Sequence, residues 1–222
     1  MRVVHLRSAV CLLGRFPALA GADLDVFAGE VVLVTGANGA GKTTLLRVCA
    51  GLAPLRSGTA EVLGHDLRAD RRAVRRAVAF VGHETFCYDD LTVAENLRFA
   101  ALAAGRPASA AGDALERVGL GRLAAVAHGR LSQGQRRRLS LAVALARDAR
   151  LLLLDEPHAG LDDAGRRVVD GVLAGAPAEG RTVLVASHEA ELVRRYATRE
   201  VQVTGGRVVE RPRAAAGVEV AR

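Results

Sequence analysis

Tryptophan is absent from these 222 residues, aromatic side chains make up only 3%, and there is a single methionine. A core built almost without rings must come from Leu, Val and Ala. Few side chains remain to stack on bases, which argues against a single-strand nucleic-acid binder. The three cysteines, Cys11, Cys49 and Cys87, are far apart and include no Cys-x-x-Cys pair. Their odd number and wide spacing exclude a disulfide framework and fit buried thiols in a reducing cytosol. No apolar stretch approaches the ~18 residues needed to cross a bilayer. Arg2 and Arg7, the run Ser8 to Leu13, and Ala18-Leu-Ala20 imitate a weak secretion signal, but Gly14, Arg15 and Pro17 break the run. It is therefore read as folded chain, and any work at a membrane requires another chain to do the spanning.

Lysine is nearly absent as well: of the 31 basic residues one is lysine, Lys42, and the other 30 are arginine. The formal net charge is +7, with half the residues apolar. The composition is that of a globular chain of one large domain. The positive charge is read first as solvated arginines spread over the surface and second as an affinity for a membrane-associated partner. No nucleic-acid partner is expected.

What is present centres on one stretch. Gly36, Ala37, Asn38, Gly39, Ala40, Gly41, Lys42, Thr43 and Thr44 match the G-x-x-x-x-G-K-[ST] phosphate-binding loop. An apolar run, Val31 to Val34, precedes it as a buried strand, and Thr44 to Ala50 follows as a helix. The glycines allow a tight loop whose N–H groups point at phosphate oxygens, and the helix N-terminus adds partial positive charge. Lys42 would reach the β- and γ-phosphates of ATP, and the Thr43 hydroxyl would sit on Mg²⁺. A background that writes nearly every cation as arginine still places lysine here, where a compact point charge fits and a planar fork does not.

Along the rest of the chain, Val3–Leu6, Val10–Leu13 and Leu24–Phe27 read as three short strands of an antiparallel layer. Thr59 to Leu63 and Val78 to Val81 read as further strands, with a short solvated helix over 71–76. Thr92 and Glu95 form a capping box that opens a helix, and a second helix is expected over 110–118. Residues 84–130 are expected to form a helical insertion. Ser132 and Gln135 form another capping box, with a helix expected over 136–147. Leu151 to Leu154 is a continuous apolar run ending in Asp155-Glu156, as a central parallel strand would end. A helix is expected over 164–174, a strand over Thr182 to Ala186 ending at Ser187-His188, and a helix over 189–196. A hairpin around Gly205-Gly206 closes the domain at about residue 212, and 213–222 read as a frayed tail.

Sites of open α/β sheets gather beyond the carboxyl ends of the strands. Three expected strands end there in suitable groups. Asp155 suits a Mg²⁺ contact, Glu156 a water attacking the γ-phosphate, and His188 a hydrogen bond to that phosphate. Together with Leu131-Ser-Gln-Gly-Gln135 and Ala159-Gly-Leu-Asp162, these motifs resemble those of ABC-transporter ATPase subunits over residues 3–210. The resemblance implies an α/β P-loop NTPase with a RecA-like core, a mainly parallel sheet, an antiparallel β-subdomain and a helical subdomain. It also implies ATP and Mg²⁺ as ligands and a head-to-tail pair of cassettes. In that pair Ser132, Gly134 and Gln135 of one chain would close on nucleotide held by the other. The partner of such a pair is an integral membrane subunit, and the place of work is the cytoplasmic face of the inner membrane.

Two departures from the family pattern stand out. The aromatic residue that usually stacks on adenine is replaced by Leu13 before Gly14, so either Phe16 takes over or base stacking is weak. The usual Q-loop glutamine is replaced by His83, an imidazole placed to reach Mg²⁺ or its water and to make activity sensitive to pH near 6–7. The Val81-Gly-His83 element, the phosphate loop and Leu91 to Phe99 resemble the haem-exporter ATPases of cytochrome c maturation, the CcmA group. The membrane subunit implied there is CcmB-like. Other readings are an ATPase for drug, lipid or polysaccharide export, a soluble relative acting on DNA or ribosomes, and a non-hydrolytic binder. The single phosphate loop argues against the soluble reading. The full set of Lys42, Asp155, Glu156 and His188 argues against the non-hydrolytic one.

Overall fold

The computed structural model describes residues 1–211, so the tail expected over 213–222 lies outside the described residues. Arg2–Leu13 (β1) and Phe16–Phe27 (β2) form one long antiparallel hairpin in place of three short strands. Gly14, at φ 61°, makes its turn, and Leu13 faces Phe16 across it. The polar Arg7-Ser8 pair does not end the first strand, because Ser8 takes φ 46° at a register shift and the strand runs on beyond the bulge.

Val31–Thr35 (β3) leads through the phosphate loop into Lys42–Cys49 (α1). Ser57–Val62 (β4) and His65–Asp66 (β5) then join the hairpin in a four-stranded sheet of order β2-β1-β4-β5. Arg71–Ala77 (α2) precedes Val78–Val81 (β6). Val93–Ala103 (α3), Ser109–Arg117 (α4) and Gln133–Ala146 (α5) follow and pack on one another.

The remaining elements are Leu151–Asp155 (β7), Asp163–Gly175 (α6), Thr182–Ala186 (β8), Ala190–Arg194 (α7), Arg199–Thr204 (β9) and Arg207–Arg211 (β10). The second sheet has the order β10-β9-β3-β8-β7-β6. All its pairs are parallel except the β9–β10 hairpin.

The apolar runs of the central strands feed two cores. Leu33, Leu152, Leu154 and Val185 face the layer of α3 to α6, while Val34, Leu151, Leu153 and Leu184 face α1 and the antiparallel sheet. This is why these strands are apolar without alternation: both faces are covered. Each fully buried Leu or Val is worth roughly 1.5–3 kcal/mol.

Helix starts follow the caps. Thr92 and Glu95 close a reciprocal box at the start of α3, and Ser132 and Gln135 do the same at α5. The helix after Ser132 therefore begins at Gln133 rather than at the expected residue 136, and the signature itself forms its first turn. Asp162 Oδ1 accepts the Gly165 N–H at 2.8 Å and caps α6. The helix expected over 189–196 is shorter, Ala190–Arg194, and has no side-chain cap.

Candidate nucleotide site

The strand order β3-β8-β7-β6 sets four carboxyl ends side by side. They carry the phosphate loop, Ser187-His188, Asp155-Glu156 and Gly82-His83 in turn. The sequence separates these groups widely, and the parallel sheet gathers them on one edge.

The loop is glycine-rich because space demands it. A Cβ on Gly36 (φ 141°) would lie 2.3 Å from Val203 O, and one on Gly41 (φ 112°) would lie 2.4 Å from Ala18 O. Gly41 is also the N-cap of α1, whose first turn has no capping side chain and no acidic residue. Its amides, together with those of Thr43 and Thr44, are left to an anion. Lys42 is 7% exposed, and its Nζ donates to Gly36 O at 2.8 Å and Ala37 O at 3.2 Å. A buried ammonium whose hydrogen bonds go only to loop carbonyls is short of a negative charge. The phosphates of ATP fit that deficit. Thr43 and Asp155 together offer a partial oxygen set. Mg²⁺ is commonly held in this way, by one or two protein oxygens with the rest left to phosphate and water. The described residues contain no cluster of three or more His, Cys, Asp and Glu that would hold a metal without the nucleotide.

Asp155 is buried at the end of β7. Glu156 follows in the left-handed region, at φ 51°. Its N–H donates to Ala186 O at 2.8 Å. Its carboxylate accepts the His188 backbone N–H at 3.1 Å and lies 2.7 Å from His188 Nδ1. The two residues read separately from the sequence thus form one contact pair, with the carboxylate mostly buried and the imidazole mostly exposed.

The signature residues stand elsewhere on the chain. Ser132 is exposed, and Ser132 Oγ and Gln135 are engaged in the cap. A Cβ on Gly134 would lie 3.5 Å from Gly160 O, so this turn faces the Ala159–Asp162 loop of its own chain. His83 is exposed and lines a cleft of about 470 Å³ with Thr85, His128, Gln133 and Arg137. No phosphate-loop residue lines that cleft. Phe16 is 81% exposed at the start of β2, two residues before the Ala18 carbonyl that meets Gly41.

Several contributors escape a reading of the sequence. Gly206, in the β9–β10 turn, donates its N–H to Ala40 O at 3.1 Å and accepts from Ala20 N–H at 2.9 Å, clamping the phosphate loop to β2. His158 is buried two residues past Glu156, with Nε2 3.1 Å from Asp170 Oδ1, and Arg195 donates to Asp170 Oδ2 at 2.8 Å. Arg137 of α5 is buried and donates to the carbonyls of Asp155 (2.7 Å) and Glu156. Burial pushes its pKa down, against the nearby charges of Asp155 and Glu156. Only a charged residue in an apolar stretch could have flagged Arg137, and the run Arg136-Arg-Arg138 hides it.

The thiols are removed from this chemistry. Burial pushes Cys49 up to about 12 and the half-buried Cys87 up to about 11.

Comparison with known proteins gives the family. Residues 19–159 match the family model described as ABC transporter. The chain is 43% identical over 187 residues to the cytochrome c biogenesis ATP-binding export protein CcmA of Bordetella bronchiseptica, covering 82% of this chain and 83% of that one. It is 39% identical to the methionine import ATP-binding protein MetN of Caulobacter vibrioides, over 89% of this chain and 62% of that one. Among solved structures, the dimeric bacterial ABC transporter cassette MJ0796 superposes with a TM-score of 0.86 at 25% identity, over 95% of this chain and 99% of that one. With the phosphate loop, the paired strand-end carboxylates and the capped signature turn all in place, the chain belongs to the ABC transporter family, as one of its ATP-binding subunits.

Proposed function

We propose that this chain hydrolyses ATP to drive a separate CcmB-like membrane subunit in haem export or handling for cytochrome c maturation. It would work as a pair at the cytoplasmic face of the inner membrane. The observation that carries the ATP part is the buried Lys42 ammonium, bonded among the described residues only to the carbonyls of its own loop. The haem part rests on similarity: the match to CcmA spans both chains almost equally, at 82% and 83%. The MetN relative extends well beyond its match, which covers 62% of it.

The roles follow from chemistry. The amides of Gly39 to Thr44 and Lys42 bind the phosphates, and Phe16 stacks on the adenine in place of the usual aromatic. Thr43 and Asp155, with His83 acting through water, would hold Mg²⁺, which would supply positive charge against the phosphates. Glu156 orients the attacking water and takes its proton. His188, already paired with Glu156, turns toward the γ-phosphate. Ser132, Gly134 and Gln135 of a second copy close the site; a helix start capped by Gln rather than Glu brings no negative charge toward that phosphate.

A docking surface for the membrane subunit is supported by where the rare aromatics lie. Phe86, Tyr88 and Phe99 are exposed and line one groove of about 310 Å³, with Tyr88 and Phe99 edge to face at 5.3 Å. Three of the seven Phe and Tyr residues in the chain thus meet at one exposed place.

The test is a haem stain of c-type cytochromes in cells lacking this chain, with b-type haem as control. Selective loss of c-type haem, restored by the wild type but not by Glu156→Gln, is the expected outcome. Normal c-type cytochromes would overturn the haem assignment and direct the search to other cargo. The MetN similarity makes an imported solute the next to try.

A further inference from the structure

Many arginines face solvent in this chain, yet among the described residues Arg137 alone of them is buried, at 9% exposure. Burying a guanidinium is costly unless its hydrogen bonds are met and a charge answers it. Here no carboxylate oxygen accepts from it. Its Nη2 donates to two successive backbone carbonyls, Asp155 O at 2.7 Å and Glu156 O, and its Nε has no partner. Both carbonyls belong to the residues that end the hydrolytic strand.

Glu156 needs such a hold. At φ 51° its backbone sits where a residue other than glycine is strained, and such strain persists only when the surroundings over-determine it. Several contacts do so. The N–H is tied to Ala186 O and the carboxylate to His188, both from β8 and the residues after it. The carbonyl accepts the Ala159 N–H of its own turn at 3.2 Å and, from outside that turn, the Arg137 guanidinium. Arg137 comes from a different layer: it lies on α5, whose first turn is the signature capped by Ser132.

We propose that Arg137 is a positioning residue for hydrolysis. Its guanidinium fixes the backbone of Glu156 and ties the pose of that base to the seating of the signature helix. Nucleotide binding is the task of the phosphate loop, so Arg137 acts on turnover and not on affinity. The inference rests on the reading of Glu156 as the base.

The test is steady-state ATPase kinetics of Arg137→Met, Arg137→Lys and Arg137→Ala beside Glu156→Gln, with the thermal midpoint of each. ATP-driven dimerisation of Arg137→Met/Glu156→Gln is compared with that of Glu156→Gln alone. We expect kcat of the methionine and alanine variants to fall by about 10²-fold, the scale of an ångström's misplacement of a reacting group. KM for ATP should stay within about twofold, because only a step after binding is affected. Ethylguanidinium, but not ethylammonium, should restore part of the Arg137→Ala rate. The double variant should still dimerise, since the signature and the phosphate loop are untouched. Wild-type kcat in a folded methionine variant would overturn the inference. So would loss of kcat, affinity and dimerisation together without guanidinium rescue, which is the mark of a packing residue. The lysine variant keeps the charge and serves if the others do not fold: full kcat in it would equally count against a need for the fork. If Glu156→Gln itself turns over normally, the base reading fails and takes this inference with it. If Glu156→Gln is dead and the Arg137 variants are normal, only the inference fails.

Discussion

Gly206 leaves no room for a methyl group. Its φ is 73°, and an added Cβ would lie 2.8 Å from Ala20 N and 2.9 Å from Ala18 O, both backbone atoms. Neither neighbour can rotate away, so Gly206→Ala must move β2 or the β9–β10 turn, and with it the bond from Gly206 N–H to Ala40 O. We expect this variant to lose on the order of 1–3 kcal/mol of stability from backbone strain and to bind ATP more weakly. Urea unfolding beside a nucleotide titration would check both, and wild-type affinity in the folded variant would remove Gly206 from the loop's support. At this scale the legible residues were those whose chemistry is local. Lys42 and Glu156 announce themselves through the strand and turn around them. Gly206 and Arg137 do not, because their partners lie far along the chain: Arg137 and Asp155 are 18 positions apart. A glycine in a hairpin turn and the middle of three arginines read as a turn and a solvated face.

Among the elements, two capping boxes make a natural pair. The box of α3 uses a carboxylate and that of α5 an amide. The Thr92 backbone N–H and then its hydroxyl hold Glu95 below the usual carboxylate range, with Arg98 adding a little. A group lowered in this way adds stability above its unfolded pKa of roughly 4.3 and loses it as pH falls through the lower folded value. The Ser132–Gln135 box has nothing to titrate. Glu95→Gln should therefore be less stable than wild type at neutral pH, and the gap should close in acid, read as urea midpoints at both ends. A gap independent of pH would mean that the Glu95 charge adds nothing to the cap. The helices themselves were legible where caps and apolar period agreed, as at Thr92 and Asp162. The first hairpin was not: a bulge at Ser8 carries a strand through polar residues that read as its end, and a bulge depends on the facing strand for its register.

For the molecule as a whole, the signature turn of one chain faces solvent and its own Ala159–Asp162 loop. Ser132 stays exposed and Gly134 looks onto Gly160. One chain then carries two unlike halves of a site. If Glu156 is the base, Glu156→Gln should bind ATP without cleaving it and form dimers with ATP whose fraction rises with protein concentration. Sedimentation with and without ATP would show it, and a monomer at all concentrations with ATP bound would exclude closure by a second copy. The sheet and the gathered strand ends were legible because apolar runs ending in polar groups mark buried parallel strands. The division of the site between two chains came only from the family resemblance, because spacing along a chain does not give distance across it.

The position of β3 bears on how the protein is made. The strand that carries the phosphate loop has two neighbours, β8 and β9, and both come from the last part of the described chain. The clamp on the loop, Gly206, comes later still. Synthesis proceeds from the N-terminus, and long-range pairing cannot begin until its partner exists. On the ribosome the nucleotide motif is made before its sheet neighbours and remains without them until β8 and β9 have followed. A chain interrupted before β8 thus displays the motif without the strands and the Gly206 clamp that hold its loop in place.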